Sequence, residues 1–175
     1  MNQVKIQYFK SSLGELIIGD YNNSLCLCDW RYRKMRTVID SRIKNELNAE
    51  YVEEDSDISK ETITQLNKYF RGDLTEFNLP LTLAGTDFQK SVWKELKNIP
   101  FGKTESYLSI SRKLKNEKAI RAVAAANGAN AIAIIVPCHR VIGSSGELTG
   151  YAGGLNTKKK LLLLEKSGVE QFELF

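Results

Sequence analysis

Residues 134–154 read IIVPCHRVIGSSGELTGYAGG, and they contain the only histidine of the chain, His139. The stretch begins apolar, stops at Pro137, presents Cys138 directly before the histidine and continues into glycine-rich sequence. Apolar structure, then a reactive pair, then glycines is the order expected where a nucleophile is delivered into a tight pocket. The apolar run predicts a strand over Ile132 to Val136. The pattern as a whole indicates a chemical site rather than a piece of core.

The totals limit the class of protein. The chain has 175 residues, of which 42% are apolar and 26% charged, as in a soluble globular protein of one or two domains. No apolar run approaches the roughly 20 residues of a membrane helix, and the N-terminal sequence lacks the apolar core of a signal peptide. We therefore expect a cytoplasmic protein, or a nuclear one if the source is eukaryotic. Its three cysteines should be free thiols.

Charge is distributed unevenly along the chain. Residues 1–82 carry 11 basic and 13 acidic side chains, whereas residues 83–175 carry 14 and 8, which gives net charges of −2 and +6. The half that contains the Cys-His pair is basic, which favours an anionic partner such as nucleic acid. A solvated basic face would give the same counts. We place the domain boundary here, giving domains 1–82 and 83–175.

The first half predicts an α/β domain with an antiparallel sheet plus helix. Alternating apolar residues predict three strands, over Val4 to Phe9, Glu15 to Asp20 and Leu25 to Trp30. Polar residues 31–57 indicate a helix-containing connection with a mobile surface portion. A better helix begins at Ser59 and ends at Arg71-Gly72. Cys26 and Cys28 lie on one face of the third strand, and we interpret them as core rather than as metal ligands.

The second half predicts mainly helices. Thr86 and Gln89 fit a capping box at the start of an amphipathic helix. Two short helices, Ser106 to Leu114 and Lys118 to Asn127, are joined by a few polar residues, which is the pattern of a helix-turn-helix. The second of them is rich in alanine and can approach another surface closely.

A last helix should begin at Asn156 or Thr157, run through Lys166 and end at Ser167-Gly168. Its Glu165 follows four leucines and lies near the helix C-terminus, where negative charge is disfavoured. This carboxylate therefore needs a cationic or hydrogen-bonding partner.

The chemistry of the central pair depends on proton removal. A free cysteine has a pKa of about 8.5, so it needs a base to react at neutral pH. Any imidazole base in this chain is His139, and Glu165 is the best candidate to orient it. Neighbouring side chains on an extended segment point to opposite faces, so adjacency does not guarantee direct contact between Cys138 and His139, and a bridging water would connect them.

The motifs PCHRVI at 137–142 and GYAGG at 150–154 resemble the signature of the O6-alkylguanine-DNA alkyltransferases. The resemblance extends over 86–165 and, more weakly, over the first half. It implies a first domain resembling ribonuclease H, then a helical domain with a helix-turn-helix and a winged turn. It also implies irreversible, single-turnover transfer of the alkyl group from O6-alkylguanine in duplex DNA to the cysteine, after nucleotide flipping. O4-alkylthymine stays open as a second substrate. The resemblance implies a monomer without cofactor.

The resemblance gives roles to individual residues. By this resemblance, Cys138 is the alkyl acceptor, His139 is its base, and Glu165 is the acid that orients the base. Asn130 braces the active-site turn, and Tyr107 protonates the departing guanine. The expected DNA contacts are Arg121, which fills the gap left by the flipped base, with Tyr107, Ala122, Ala126 and Arg140. The expected base pocket is lined by Val141, Tyr151 and Ala152.

Three features depart from the family pattern or leave alternatives. Ala152 replaces a serine found in some members, and Lys158-Lys159-Lys160 puts three cations at the start of the last helix, which is mildly unfavourable. The ligands of a structural zinc are not evident, so we predict no metal.

The alternative functions are a lesion-binding protein without chemistry, a cysteine hydrolase and a transcriptional regulator. Cys138 argues against a lesion-binding protein. A hydrolase needs an oxyanion hole, and the sequence gives no sign of one.

Overall fold

The chain divides into two compact units. Unit 1 comprises Met1–Gly85, and unit 2 begins at Thr86. The computed structural model describes residues 1–167, so Gly168, expected at the end of the last helix, lies outside the described residues. Within that described part, no helix is long and apolar enough to cross a membrane.

Unit 1 is built on a four-stranded sheet with the order β3-β2-β1-β4. β1 (Asn2–Ser11), β2 (Gly14–Tyr21) and β3 (Ser24–Trp30) form an antiparallel meander, which confirms the three predicted strands. Asn22 and Asn23 both have positive φ, 51° and 60°, between β2 and β3. That conformation matches the twist of a two-residue hairpin, and asparagine adopts it more readily than most residues.

The sheet is mixed, which corrects the prediction of an antiparallel sheet. The predicted helix of the connection is α1 (Arg36–Leu47), and Asn48 ends it in the left-handed conformation. The chain then continues as β4 (Ala49–Glu53), which pairs parallel with β1. β4 is an edge strand in which only Ala49 is buried. Its sequence therefore carries little of the alternation that indicates a strand, and it predicts a surface connection instead.

α2 (Asp57–Phe70) covers the sheet of unit 1. Ser56 caps the helix through a reciprocal capping box with Ser59. The helix therefore begins at Asp57, two residues before its predicted start. The helix buries Leu66 and Tyr69 against the strands, as its apolar period predicts.

The two cysteines of β3 belong to this core. Cys26 and Cys28 are buried, free thiols. Burial raises the pKa of Cys26 to about 12 and raises that of Cys28 as well. Both therefore stay protonated and unreactive at neutral pH.

Unit 2 begins with three helices. α3 (Asp87–Lys97) starts with the predicted Thr86–Gln89 capping box and buries Trp93 among other apolar residues. α4 (Tyr107–Lys113) and α5 (Ile120–Gly128) match the two predicted short helices, and α5 packs on both α3 and α4.

A two-stranded sheet connects distant parts of unit 2. β5 (Glu105–Ser106) immediately precedes α4 and pairs parallel with β6 (Val141–Ile142), which follows the Cys-His pair. The pairing therefore fixes the first turn of α4, including Tyr107, near the segment that holds the cysteine.

The predicted strand over Ile132 to Val136 is wrong. The segment forms consecutive turns, with Ile134 at φ +70° and the amide of Val136 donating to the carbonyl of Ile132 at 2.9 Å. Every residue in 130–141 is buried. A short, fully apolar run does not distinguish a strand from another buried segment, because its burial has no period to reveal.

α6 (Leu155–Ser167) is the last described helix, and it begins slightly earlier than predicted. It packs against the turn that carries the cysteine. One face of the helix is buried, and it consists of Lys158, Leu161, Leu164 and Glu165. Leu161 and Glu165 lie three and seven residues after Lys158, and Leu164 lies three after Leu161, as one face of a helix requires.

Candidate active site

Cys138 lies in a buried 3-10 turn, Cys138–Arg140, rather than at the end of a strand. Its amide donates to the carbonyl of Val136 at 2.8 Å, and the amide of Arg140 donates to the carbonyl of Pro137 at 3.0 Å. Cys138 is only 4% exposed. The turn replaces the extended geometry on which the predicted orientation of the Cys-His pair depended.

Asn130 holds the preceding segment in its shape. Its side-chain Nδ2 donates to the carbonyls of Val136 at 2.8 Å and Ile132 at 3.3 Å, and its Oδ1 accepts from the amide of Ile132 at 3.0 Å. These bonds satisfy backbone groups that a strand would have paired in a sheet. One buried amide side chain thus fixes the approach to Cys138.

His139 and Glu165 form a buried pair. His139 Nε2 lies 2.7 Å from Glu165 Oε1, and neither side chain is more than 1% exposed. Burial lowers the pKa of His139, against the opposing hydrogen bond and charge of Glu165, so the imidazole is neutral at pH 7. Its Nε2 therefore carries the proton and donates to the carboxylate. Nδ1 is left with a lone pair that can accept a proton.

Glu165 is ionised despite its surroundings. Burial alone would raise its pKa, but the hydrogen bond from His139 and the hydrogen bonds and charge of Arg140 outweigh burial and hold the pKa below its usual value. The amide of Gly102 also donates to Glu165 Oε2, at 3.4 Å. The carboxylate thus has the partners that the sequence required of it, and it can stabilise a protonated His139.

Arg140 corrects one predicted DNA contact. Its Nε and Nη2 donate to both oxygens of Glu165 at 2.8–3.2 Å, and its Nη1 donates to the carbonyl of Ile99 at 2.7 Å. The residue is 6% exposed. A guanidinium so enclosed is not available to phosphates, because its donors already have partners inside the protein. Arg140 instead holds the carboxylate that orients His139.

The helix pair presents only part of the predicted DNA-contact set. Arg121 and Ala122 are exposed near the start of α5, but Ala126 is 2% exposed and faces α3. The indole of Trp93 donates to the carbonyl of Ala126 at 2.8 Å. The prediction of a DNA contact at Ala126 is therefore wrong, because the helix turns that position towards the core.

Tyr107 lies half-buried in the first turn of α4. Its hydroxyl accepts a hydrogen bond from Thr149 Oγ1 at 3.0 Å. Of the predicted pocket residues, Val141 is buried, and Tyr151 and Ala152 are half-buried in the glycine-rich segment. Thr149 links Tyr107 to that segment.

Lys158 is a site residue that the sequence analysis missed. Its Nζ is buried and donates to the carbonyls of Val141 at 2.6 Å, Thr149 at 2.9 Å and Gly150 at 3.4 Å. Burial lowers the pKa of Lys158, and the nearby Cys138 opposes this shift through its charge. The expected penalty of a cation at the helix start is therefore offset by three carbonyl oxygens. The helical spacing of Lys158 from Leu161 and Glu165 could have revealed its inward orientation.

No group of three or more histidine, cysteine or acidic side chains within residues 1–167 is arranged to hold a metal ion.

Comparisons with known proteins place this geometry in a family. The profile of "6-O-methylguanine DNA methyltransferase, DNA binding domain" matches residues 87–167. A methylated-DNA–protein-cysteine methyltransferase of Mycobacterium tuberculosis is 61% identical over 105 residues, which span 60% of this chain and 64% of that relative. One of Methanosarcina acetivorans is 44% identical over 160 residues, 91% of this chain and 96% of that relative.

The fold agrees with a solved structure of one of these organisms. The crystal structure of M. tuberculosis OGT in complex with DNA matches with a TM-score of 0.79 at 43% identity, covering 95% of this chain and 94% of that one. Sequence and fold thus agree over nearly the full length. The chain belongs to the methylated-DNA–protein-cysteine methyltransferase family.

Proposed function

We propose that this protein repairs DNA by moving the alkyl group of O6-alkylguanine onto Cys138 Sγ, once per molecule. The observation that supports this most directly is the buried series of Cys138, a neutral His139 and an ionised Glu165. A neutral imidazole backed by a carboxylate is the arrangement that removes a proton from a thiol. O4-alkylthymine remains a further candidate substrate.

The proposed reaction is an in-line displacement. The thiol proton passes through a water molecule to His139 Nδ1, and Glu165 stabilises the imidazolium. The thiolate attacks the alkyl carbon, the bond between that carbon and O6 breaks, and Tyr107 supplies a proton to the departing guanine. The product is a thioether, for which no easy reversal exists, so the protein is consumed.

DNA binding is assigned to unit 2. The target atom is hidden in the duplex, so the nucleotide must leave the stack. α4 and α5 form the proposed helix-turn-helix, exposed Ala122 permits close approach to a groove, and exposed Arg121 can fill the gap. The DNA-bound OGT of similar fold supports this assignment. The winged turn and the resemblance of unit 1 to ribonuclease H belong to the same proposal.

Mass spectrometry tests the reaction. After incubation with duplex DNA containing O6-methylguanine, trypsin should release the peptide 122–140, in which Cys138 is the only cysteine. This peptide should gain about 14 Da, the mass of a methyl group replacing hydrogen on the thiol. An unmodified peptide after prolonged incubation would overturn the proposal in favour of a lesion-binding protein.

Two cysteine variants provide matched controls. Cys138→Ser should abolish transfer and retain DNA binding, whereas Cys26→Ser, in the core of unit 1, should leave transfer unchanged. Loss of both transfer and DNA binding in Cys138→Ser would mean that the residue is structural. Three free cysteines suit a reducing compartment, which is the cytoplasm or, in a eukaryotic source, the nucleus.

A further inference from the structure

Asn127 contacts the Cys138–Arg140 turn, and the sequence pattern gave it no role in the site. It lies near the end of α5 and is 6% exposed. Its Nδ2 donates to the carbonyl of Cys138 at 3.4 Å. This bond distinguishes the two ends of the amide, because only the nitrogen can face a carbonyl oxygen. The other end, Oδ1, is therefore an acceptor fixed beside the Cys138 turn.

That oxygen is one of two unusual atoms. In the part of unit 2 that the structure describes, two buried side-chain polar atoms lack a hydrogen-bond partner, Asn127 Oδ1 and His139 Nδ1. Buried polar atoms almost always have a partner, and ordered water supplies it where protein does not. Both atoms are acceptors, because His139 Nε2 carries the imidazole proton. They cannot bond each other, so each needs a donor, and one water molecule has two hydrogens to donate.

We propose that Asn127 is a positioning residue whose Oδ1 holds, together with His139 Nδ1, the water molecule that carries the proton away from Cys138. This inference rests on the proposed function, because it concerns the same proton transfer. The water donates one hydrogen to each acceptor and accepts the thiol hydrogen of Cys138.

The transfer balances with the water unchanged. The thiol gives its proton to the water oxygen, and the water gives one of its own protons to His139 Nδ1. The products are a thiolate, water and an imidazolium facing Glu165. The bond to Asn127 occupies the second water hydrogen, so the first stays directed at the histidine. Without Asn127 Oδ1 the water can rotate, and fewer of its orientations transfer the proton.

A pair of variants isolates the polar atom. Asn127→Ala and Asn127→Ser leave similar space, but serine keeps a hydroxyl that can bind water. Transfer from free O6-benzylguanine, which needs no DNA, is followed from pH 6 to pH 10 by the mass of peptide 122–140. At pH 7 we expect Asn127→Ala to be slower than the native protein by about tenfold, within the range of general-base effects. Asn127→Ser should recover part of the rate.

The pH profile separates positioning from structure. As the pH rises, hydroxide can remove the thiol proton without the histidine, so the deficit of Asn127→Ala should narrow towards pH 10. A deficit of equal size at every pH, shared by Asn127→Ser, would overturn the inference and indicate a purely structural role. Asn116→Ala, an exposed asparagine in the turn before α5, is the control and should match the native protein.

The outcomes also separate this inference from the function on which it rests. If the native protein leaves Cys138 unmodified on both DNA and the free base, the proposed function fails. If the native protein transfers the group and Asn127→Ala follows it at every pH, only the role of Asn127 is overturned. Thermal unfolding of each variant establishes that the rates compare folded proteins.

Discussion

A buried lysine ammonium beside the reactive cysteine is the residue least expected from the sequence. Lys158 Nζ donates to three backbone carbonyls, including those of Val141 and Thr149 on either side of residues 143–146. Its positive charge also favours the thiolate form of Cys138, with which it interacts. One side chain thus shapes the pocket and supports the nucleophile.

Replacing this lysine should therefore affect transfer more than an equivalent change nearby. Lys158→Met keeps the length of the side chain but removes its three hydrogen bonds and its charge. We expect transfer from free O6-benzylguanine to slow by at least about tenfold, and the free energy of unfolding to fall by about 1–3 kcal/mol, because buried acceptors lose their donor. Single-turnover kinetics and chemical denaturation measure the two effects.

Lys159→Met is the matched control, since Lys159 is exposed on the same helix. It should change neither quantity measurably. Equal effects of the two substitutions would mean that the start of α6, rather than the buried ammonium, matters.

Sequence was most informative where a residue type has few possible uses. Any imidazole base had to be the only histidine, and a carboxylate after four leucines needed a partner, so His139 and Glu165 could be paired in advance. Arg140 was misplaced because a charged residue next to a reactive pair is more often exposed than buried. Asn127 and Lys158 are ordinary polar residues, and only the fold shows which of their atoms face Cys138.

Elements with a strong apolar period were predicted well, and those without one were not. The capping box of α3 and the amphipathic faces of α2 and α3 are encoded within a few neighbouring residues. β4 depends on pairing with β1, where Asn2 pairs with Ala49, and the turn before Cys138 depends on the side chain of Asn130. Such long-range or side-chain-directed structure leaves no local period in the sequence.

In α5, one face of the helix is buried in the core and the other is exposed to solvent. Ala126 packs towards α3, while Arg121 and Ala122 remain exposed.

If Arg121 occupies the space of the flipped base, Arg121→Ala should slow repair of duplex DNA by about tenfold or more. It should leave transfer from free O6-benzylguanine nearly unchanged, because that base needs no extrusion.

The two substrates are compared under single-turnover conditions with saturating DNA. Lys118→Ala removes an exposed cation just before α5 and controls for charge. It should weaken DNA binding without a change in the saturated rate. If Arg121→Ala slows both substrates equally, Arg121 has no role in flipping.

For the whole molecule, the sequence determines how much charge each unit carries, but the fold determines how much of it can reach DNA. Of the 14 basic residues in 83–175, Arg140 and Lys158 are buried, and Arg140 is paired with Glu165. The basic surface of unit 2 is therefore smaller than the count implies. It still retains exposed lysines and Arg121, which the proposed phosphate contacts require.

This division predicts a difference between substrates in their response to salt. Phosphate contacts release condensed counterions, so raising NaCl from about 50 to 200 mM should weaken binding to duplex DNA by at least about tenfold. Transfer from free O6-benzylguanine should change little, because the Cys138 site is buried and Glu165 is neutralised by the buried Arg140, a pair that salt screens only weakly. Fluorescence anisotropy on a labelled duplex measures the binding, and the mass of peptide 122–140 measures the transfer. If salt slowed transfer from the free base as much as it weakened DNA binding, the ions would be acting on the active site itself, and the basic surface of unit 2 would lose its assigned role.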